Sequence, residues 1–371
     1  MVTPGAFPLT SSFSRRQALA ATATALALST GAGARRGTAT RGSETRFPDP
    51  VRAIYLNPRV TTTWDGFLRL VDLIDRTELN GMVIDIKEDE VLYATEVPLF
   101  GRSGSVAPVY DPAAMVETLR EHGIASIARL VVFKDPIVAA ANPGLAVRDS
   151  VTGGLWYDMN GYAWVNPFDE SLWDANAALA VEAAALGFDE IQLDYVRFPT
   201  DGDLTRMDFG RPITETARTE TITDFSALCS ERLLDAGLST RMAADIFGYT
   251  LFVPGDLGIG QNADSLAPHF DVLCPMVYPS HFPEGSIDVP GHPNDSPYET
   301  IEISMAVGAD RFGVATGLRP WLQAFSLPGM TPYGTDHVRA QIDAADAAGT
   351  GGWMLWDPDN AYDEAALRPS R

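Results

Sequence analysis

The sequence predicts a (β/α)8 barrel, and three observations carry that expectation. Eight short apolar runs recur along the chain, helical segments separate them, and most runs end on a charged, amide or aromatic group. Strands of a parallel barrel are buried on both faces, so they read as continuous apolar runs. Their C-terminal ends converge on one mouth, where the polar groups closing the runs would meet. A doubly wound open sheet is the alternative; it wants a glycine-rich turn after the first strand, and Asn57-Pro58-Arg59 supplies none.

The elements follow in order. Val51 to Leu56 is the first strand and ends at Asn57. Thr63 then caps a helix from Trp64 to Leu79, with Phe67, Leu70, Val71 and Ile74 on one face. Met82 to Ile86 carries Asp85 and leads into Lys87 and Glu88. Asp111-Pro112 opens the second helix, with proline at the first position where its missing N–H is harmless, and Gly123 stops it. Ile124 to Phe133 leads into Lys134 and Asp135, and an Ala-rich helix spans Ser171 to Gly187. The fourth strand lies in Asp189-Glu-Ile-Gln-Leu-Asp-Tyr-Val-Arg-Phe-Pro199, where the apolar run breaks into Asp194 and Arg197. A helix from Thr214 to Gly237 precedes Met242 to Phe247, which holds Asp245; the next helix is reduced to Asp264 to Pro268. Val272 to Val277 leads to Tyr278, and a helix from Pro297 to Gly308 carries Ile301 and Met305. Phe312 to Leu318, meeting Arg319, is the expected seventh strand, and Thr335 to Gly349 its helix. Trp353 to Trp356 meets Asp357, and a short helix from Asp363 closes the chain.

With 371 residues and 46% hydrophobic content, one barrel accounts for nearly all of the chain. The formal charge of −22 argues against nucleic acid, because phosphate binding needs a basic surface. It disfavours an acidic polysaccharide for the same reason, unless a local basic patch overrides it. Residues 1–34 are expected to be an export signal: Ser14-Arg15-Arg16-Gln17-Ala18-Leu19 has the twin-arginine pattern, a small apolar stretch follows from Ala18 to Leu28, and Ala32-Gly33-Ala34 offers a cleavage site. A disordered tail is the other reading. The apolar stretch is too short for stable membrane insertion after processing. Residues 35–50 read as a linker and 51–371 as the barrel, exported in folded form to an extracellular location. Cys229 and Cys274 lack metal-ligand spacing and read as free buried thiols.

Glycosidic hydrolysis needs an acid to protonate the leaving oxygen and a second carboxylate as nucleophile or base. Asp194 and Asp245 end adjacent strands four and five, which makes them the catalytic candidates; Asp85, Glu88 and Asp357 stand in reserve. Each lone aspartate also admits a structural role. Arg197 is expected to hold Asp194 ionised. Of 27 basic residues only Lys87 and Lys134 are lysines, and both fall at strand ends, where they would donate to sugar hydroxyls or tune a carboxylate. A neutral lysine there would instead form a Schiff base, the mark of a carbonyl lyase. Trp156, Tyr157, Tyr162, Trp164, Phe282, Tyr298, Trp321, Phe325 and Tyr333 crowd the long connections. Such rings would either floor sugar sites or form small cores within the loops. Trp356 is the best placed to floor a sugar pocket, with Tyr278 at its side. The five histidines never form a His-x-His or His-Glu-x-x-His pair, and no nucleotide fingerprint appears, so neither metal nor cofactor is expected.

Ala53-Ile54-Tyr55-Leu56, Gly81-Met82-Val83-Ile84-Asp85-Ile86-Lys87, Ile127 to Asp135, Asp194-Tyr195-Val196-Arg197-Phe198-Pro199 and Gly352-Trp353-Met354-Leu355-Trp356 together resemble the putative glycosyl hydrolase domain family of bacteria. That resemblance implies a barrel acting on carbohydrate. A more distant likeness is to family 18 chitinases, whose fourth strand carries Asp-x-x-Asp-x-Asp-x-Glu. Asp189, Gln192, Asp194 and Val196 occupy those positions here, so the terminal acid is missing and the chitinase mechanism does not transfer. The expectation is an exported glycosidase cleaving a polysaccharide or oligosaccharide. A noncatalytic glycan-binding barrel and a Schiff-base lyase are the alternatives.

Overall fold

A computed structural model describes residues 47–59, 63–315 and 317–370. The expected export signal, and the linker up to residue 46, lie outside the described residues. Eight parallel strands close into a barrel: β1 Val51–Leu56, β2 Gly81–Lys87, β3 Ala125–Val131, β4 Glu190–Asp194, β5 Arg241–Phe247, β6 Val272–Met276, β7 Trp321–Gln323 and β8 Gly352–Trp356. β8 pairs with β1 through Val51↔Gly352 to Ile54↔Leu355, which closes the ring.

The helices lie between strands, where their caps predict them. Thr63 accepts from Gly66 N at 3.0 Å to start α1, Trp64–Arg76. A short α2, Pro98–Ser103, precedes α3, Pro112–Glu121, which Asp111 caps through the N–H groups of Ala113 and Ala114. Asp135 caps α4, Pro136–Ala141, and Asp169 caps α5, Glu170–Leu186. Then come α6, Glu215–Asp235, the single turn α7, Ala263–Leu266, α8, Pro297–Phe312, and α9, Thr335–Ala347.

The seventh strand departs from the sequence reading. Phe312 is the last residue of α8, and Leu318 makes only an isolated bridge to Leu273. Gly308 does not stop that helix: a Cβ there would stand 2.5 Å from Leu318 Cδ1, so the glycine permits close packing inside α8. The helix ends instead at Gly313, in the left-handed region at φ 75°. Pro320 has no N–H for the sheet, so regular pairing begins only at Trp321. Trp321 is therefore a strand residue and not a loop aromatic.

This shift also moves Arg319. It lies at the floor of the barrel, buried and paired with Glu190 at the start of β4, far from the strand ends that form the mouth. Phe47 packs against the barrel-lining cluster and under Arg241, whose guanidinium carbon lies 5.0 Å from its ring. The chain thus joins the barrel at Phe47, four residues inside the stretch expected to be linker. Above the floor, Ala53, Val83, Ile127, Ala243, Cys274 and Met354 fill the lumen with apolar atoms. The layer above them is polar.

Candidate active site

Strands alternate their side chains, so every second residue near a strand's C-terminal end turns into the lumen. Tyr55, Asp85, Arg129, Asp194, Asp245, Trp321 and Trp356 form this upper layer, one from each strand except β6. Arg129 is its hub. Its Nε and Nη2 donate to Asp194 Oδ2 at 3.0 and 2.5 Å, and its Nη1 donates to Asp85 Oδ1 at 2.5 Å. Asp245 Oδ2 stands 4.0 Å from the same Nε. The Oδ2 atoms of Asp194 and Asp245, at 3.0 and 4.0 Å from one nitrogen, can therefore be no more than 7.0 Å apart.

The remaining carboxyl oxygens are also engaged. Tyr55 OH donates to Asp85 Oδ2, Trp321 Nε1 donates to Asp245 Oδ1 at 2.7 Å, and Tyr195 N donates to Asp194 Oδ1 at 2.6 Å. Of these six oxygens only Asp245 Oδ2 accepts no hydrogen bond among the described residues. Tyr55 and Trp356 stack with ring centroids 4.0 Å apart, and the Arg129 guanidinium carbon lies 5.0 Å from the Trp356 ring. Tyr195 takes φ 49°, a left-handed conformation that costs a non-glycine residue energy and marks the point where β4 turns into the mouth.

Three buried carboxyls share one guanidinium, so full ionisation would leave two uncompensated negative charges in a dry site. Protonation relieves that excess. Burial pushes Asp85 up to about 6, with Glu88 adding to the rise and Arg129 opposing it. Asp245 is raised well above the ordinary carboxylate range, first by burial and then by the charge of Asp194, against the pull of Arg129 and Trp321. Arg129 stays charged: burial disfavours its cation, but Asp85, Asp194 and Asp245 outweigh that and raise it.

Several residues expected to serve the site are engaged otherwise than the sequence suggests. Arg197 makes no ion pair with Asp194; Arg129 takes that place, while Arg197 Nη1 donates to Phe198 O at 3.0 Å and to Thr200 Oγ1 at 3.4 Å. Lys87 is enclosed, with its ammonium on Val131 O at 2.8 Å and Asp135 Oδ2 at 2.9 Å. A register shift between Asp85 and Lys87 breaks the two-residue period that would have put both on the lumen face. Trp156 and Trp164 are buried in the insertion after β3, their indole N–H groups on Asp203 O and Asp158 Oδ2, so they form a local core and offer no platform to a sugar. Asp357 is buried and accepts from Asp359 N, and burial raises its pKa.

Others do border the upper layer. Tyr278 lies in the lumen cluster beside Phe325, and Trp356 and Glu88 are half-buried. Lys134 is half-buried too, its ammonium 4.2 Å from the Tyr162 ring and 5.0 Å from the Tyr195 ring. Sequence reasoning gave no site role to Arg129 or Tyr55 and took Trp321 for a loop aromatic. The legible sign for Arg129 was its being the one charge inside an apolar strand, where burying a guanidinium is costly unless carboxylates on neighbouring strands pair with it.

With this geometry in hand, comparison with known proteins gives the family. A family described as a putative glycosyl hydrolase domain matches residues 53–362, which is most of the chain. The chain belongs to that family. Among solved structures it is similar to the glycoside hydrolase domain of PgaB (BpsB) from Bordetella bronchiseptica, at 14% identity and a TM-score of 0.62, over 84% of this chain and 95% of that one. It is similar also to the α-galactosidase TtGalA from Thermus thermophilus, at 14% identity and a TM-score of 0.52, over 84% of this chain and 59% of the other. A hypothetical protein from Ruminiclostridium thermocellum is 33% identical over 52% of this chain and 96% of its own, with a TM-score of 0.46. Identities of 14% show the shared barrel and nothing finer. No curated protein sequence matches, and the comparisons lend no support to the likeness with family 18 chitinases.

Proposed function

We propose that this member of the family hydrolyses glycosidic bonds in a polysaccharide or oligosaccharide, with Asp194 as nucleophile or general base and Asp245 as general acid. The observation that carries the reading is the pair itself: two carboxyls on adjacent strands, in different surroundings, whose Oδ2 atoms are at most 7.0 Å apart because they lie 3.0 and 4.0 Å from Arg129 Nε. Glycosidases place their two carboxyl groups between about 5 and 9.5 Å apart. Asp194 Oδ2 accepts two hydrogen bonds from Arg129, whereas Asp245 is raised by burial and by the neighbouring Asp194, and among the described residues only its Oδ1 accepts a hydrogen bond. Environments that differ in this way suit one carboxyl to hold a proton for a leaving group and the other to attack or to activate water.

Asp85 acts as a positioning residue in this scheme. Both of its oxygens are occupied, by Arg129 and Tyr55, so it orients the guanidinium that orients Asp194. The Schiff-base reading finds little support, because Lys87 is ion-paired and enclosed and burial of Lys134 is outweighed by nearby anionic groups, which raise its pKa. The noncatalytic reading required that no second carboxylate stand near Asp194, and the 7.0 Å bound weighs against it. Export through the twin-arginine pattern would bring the enzyme to extracellular glycans. Reducing-end release from a panel of bacterial and plant polysaccharides tests the reading: wild type should release sugar, and Asp194→Asn and Asp245→Asn should not, while both variants keep the fold.

A further inference from the structure

Arg197 and Lys134 are cations at the mouth that form no ion pair with a carboxylate among the described residues. Among the described residues no carboxylate oxygen comes within 4.0 Å of either, in a chain with 49 acidic residues against 27 basic ones. Arg197 is 6% exposed, yet only its Nη1 is hydrogen-bonded, to Phe198 O and Thr200 Oγ1. Its Nε and Nη2 have no protein acceptor and are not sealed from solvent, unlike Arg319 Nε at the barrel floor. That free edge is the one that takes a planar carboxylate through two parallel N–H bonds. The guanidinium is fixed in place by three rings: its carbon lies 4.7 Å from the Tyr195 and Phe247 centroids and 4.9 Å from that of Trp164. Lys134 Nζ lies 5.0 Å from the same Tyr195 ring. The two cations are thus no more than 9.7 Å apart, being 4.7 and 5.0 Å from one centroid, and Tyr195 directly follows Asp194.

Asp158, Asp194 and Asp201 act on Arg197 from a distance, and Asp89 and Asp158 on Lys134. Burial still outweighs them at Arg197 and lowers its pKa, the sign of a guanidinium short of negative charge. Asp158 is itself held by the N–H groups of Asn160, Tyr162 and Trp164.

We infer that the sugar bound beside Asp194 carries a carboxylate, so that the substrate is a glycan containing uronic acid units, with the Nε–Nη2 edge of Arg197 gripping the carboxylate and Lys134 reaching it or a neighbouring unit. This is the local basic patch that an acidic protein needs to accept an acidic polysaccharide. It rests on the hydrolase reading for what happens to the ligand, but not for its binding.

The test is affinity electrophoresis of the full chain in gels containing polygalacturonate, alginate or hyaluronate, each paired with its carboxyl-reduced counterpart, and in dextran sulfate. Wild type should bind at least one uronate polymer and bind its reduced form about tenfold or more weakly, the worth of one charge-assisted hydrogen bond. Lys134→Gln and Arg197→Lys should each weaken uronate binding about tenfold, and Lys134, being half-buried and not hydrogen-bonded, keeps the test open should Arg197 variants fail to fold. Equal binding to the reduced polymers, no binding to any uronate, or uronate binding unchanged in Lys134→Gln overturns the inference. Binding to dextran sulfate alone overturns the carboxylate assignment. Uronate binding without reducing-end release would defeat the hydrolase reading and leave this one standing; release from neutral glycans only would do the reverse.

Discussion

Replacing Arg129 with methionine removes the guanidinium that three buried carboxyls share and keeps a side chain that can fill the space. The effect should depend on pH with a defined sign. In the wild type Asp85 is raised to about 6 in the folded state, against about 3.9 unfolded, so the native state binds the extra proton between these values. Stability from this group is therefore fully present below pH 4 and declines as pH rises towards and past 6. About two pKa units at about 1.4 kcal/mol each make that decline roughly 3 kcal/mol. Asp245, also raised, adds a decline of the same sign. Without the guanidinium, which opposes both rises, the carboxyls titrate later and Asp194 loses its ion pair. Breaking a buried pair from one side costs about 3–5 kcal/mol. At roughly 2 °C per kcal/mol for a domain of this size, Arg129→Met should melt about 6–10 °C below wild type at pH 8. At pH 4, with Asp85 and Asp245 protonated, the gap should shrink to a few degrees. Thermal denaturation followed by circular dichroism at five pH values between 4 and 8 measures this directly. A gap constant across that range would refute the reasoning, because it would make Arg129 a packing residue and not the charge compensator of the site.

Other perturbations follow from the same geometry. Asp245→Asn should lower kcat by about 10²–10⁴-fold, the usual worth of a general acid, with little change in melting temperature, and wild-type kcat should fall as pH rises through the raised pKa of Asp245. Trp356→Ala removes the ring stacked on Tyr55 and should raise KM more than it lowers kcat, by steady-state kinetics on the identified glycan. Lys87→Met leaves Asp135 buried and unpaired beside the start of α4 and should destabilise the fold by about 3–5 kcal/mol in denaturant titration, whereas borohydride should trap no carbonyl compound on the wild-type chain. Separately from that geometry, the proposal of twin-arginine export predicts that replacing Arg15 and Arg16 together with lysine abolishes export, read by fractionation of expressing cells.

Much of the barrel was legible because buried parallel strands leave long apolar runs and because helix caps such as Thr63 and Asp111 are local chemistry. The seventh strand was not. Gly308 looks the same in sequence whether it ends a helix or lets one pack closely on Leu318, and only the tertiary contact separates the two. Asp85, Asp194 and Asp245 could be read as strand-end acids, but their common partner could not be read from neighbours in the chain, since Arg129 reaches Asp194 across 65 residues. Arg197, three residues from Asp194, was the nearer guess and the wrong one. The loop tryptophans failed for a related reason: Trp156 and Trp164 have the composition of a sugar platform, yet Trp164 finds its acceptor inside its own insertion and Trp156 in the connection after β4, and both turn inward. Lys87 shows how one bulge is enough to take a residue off the face that its strand period predicts.

The central claim is that the carboxyl pair around Arg129 cleaves glycosidic bonds. Reducing-end release from the glycan that binds most tightly, compared among wild type, Asp194→Asn and Asp245→Asn at equal folded concentration, tests it most directly. The account predicts release by wild type and a loss of at least a hundredfold in each variant with binding retained. Release that survives in both variants, or binding with no release by the wild type, would contradict it.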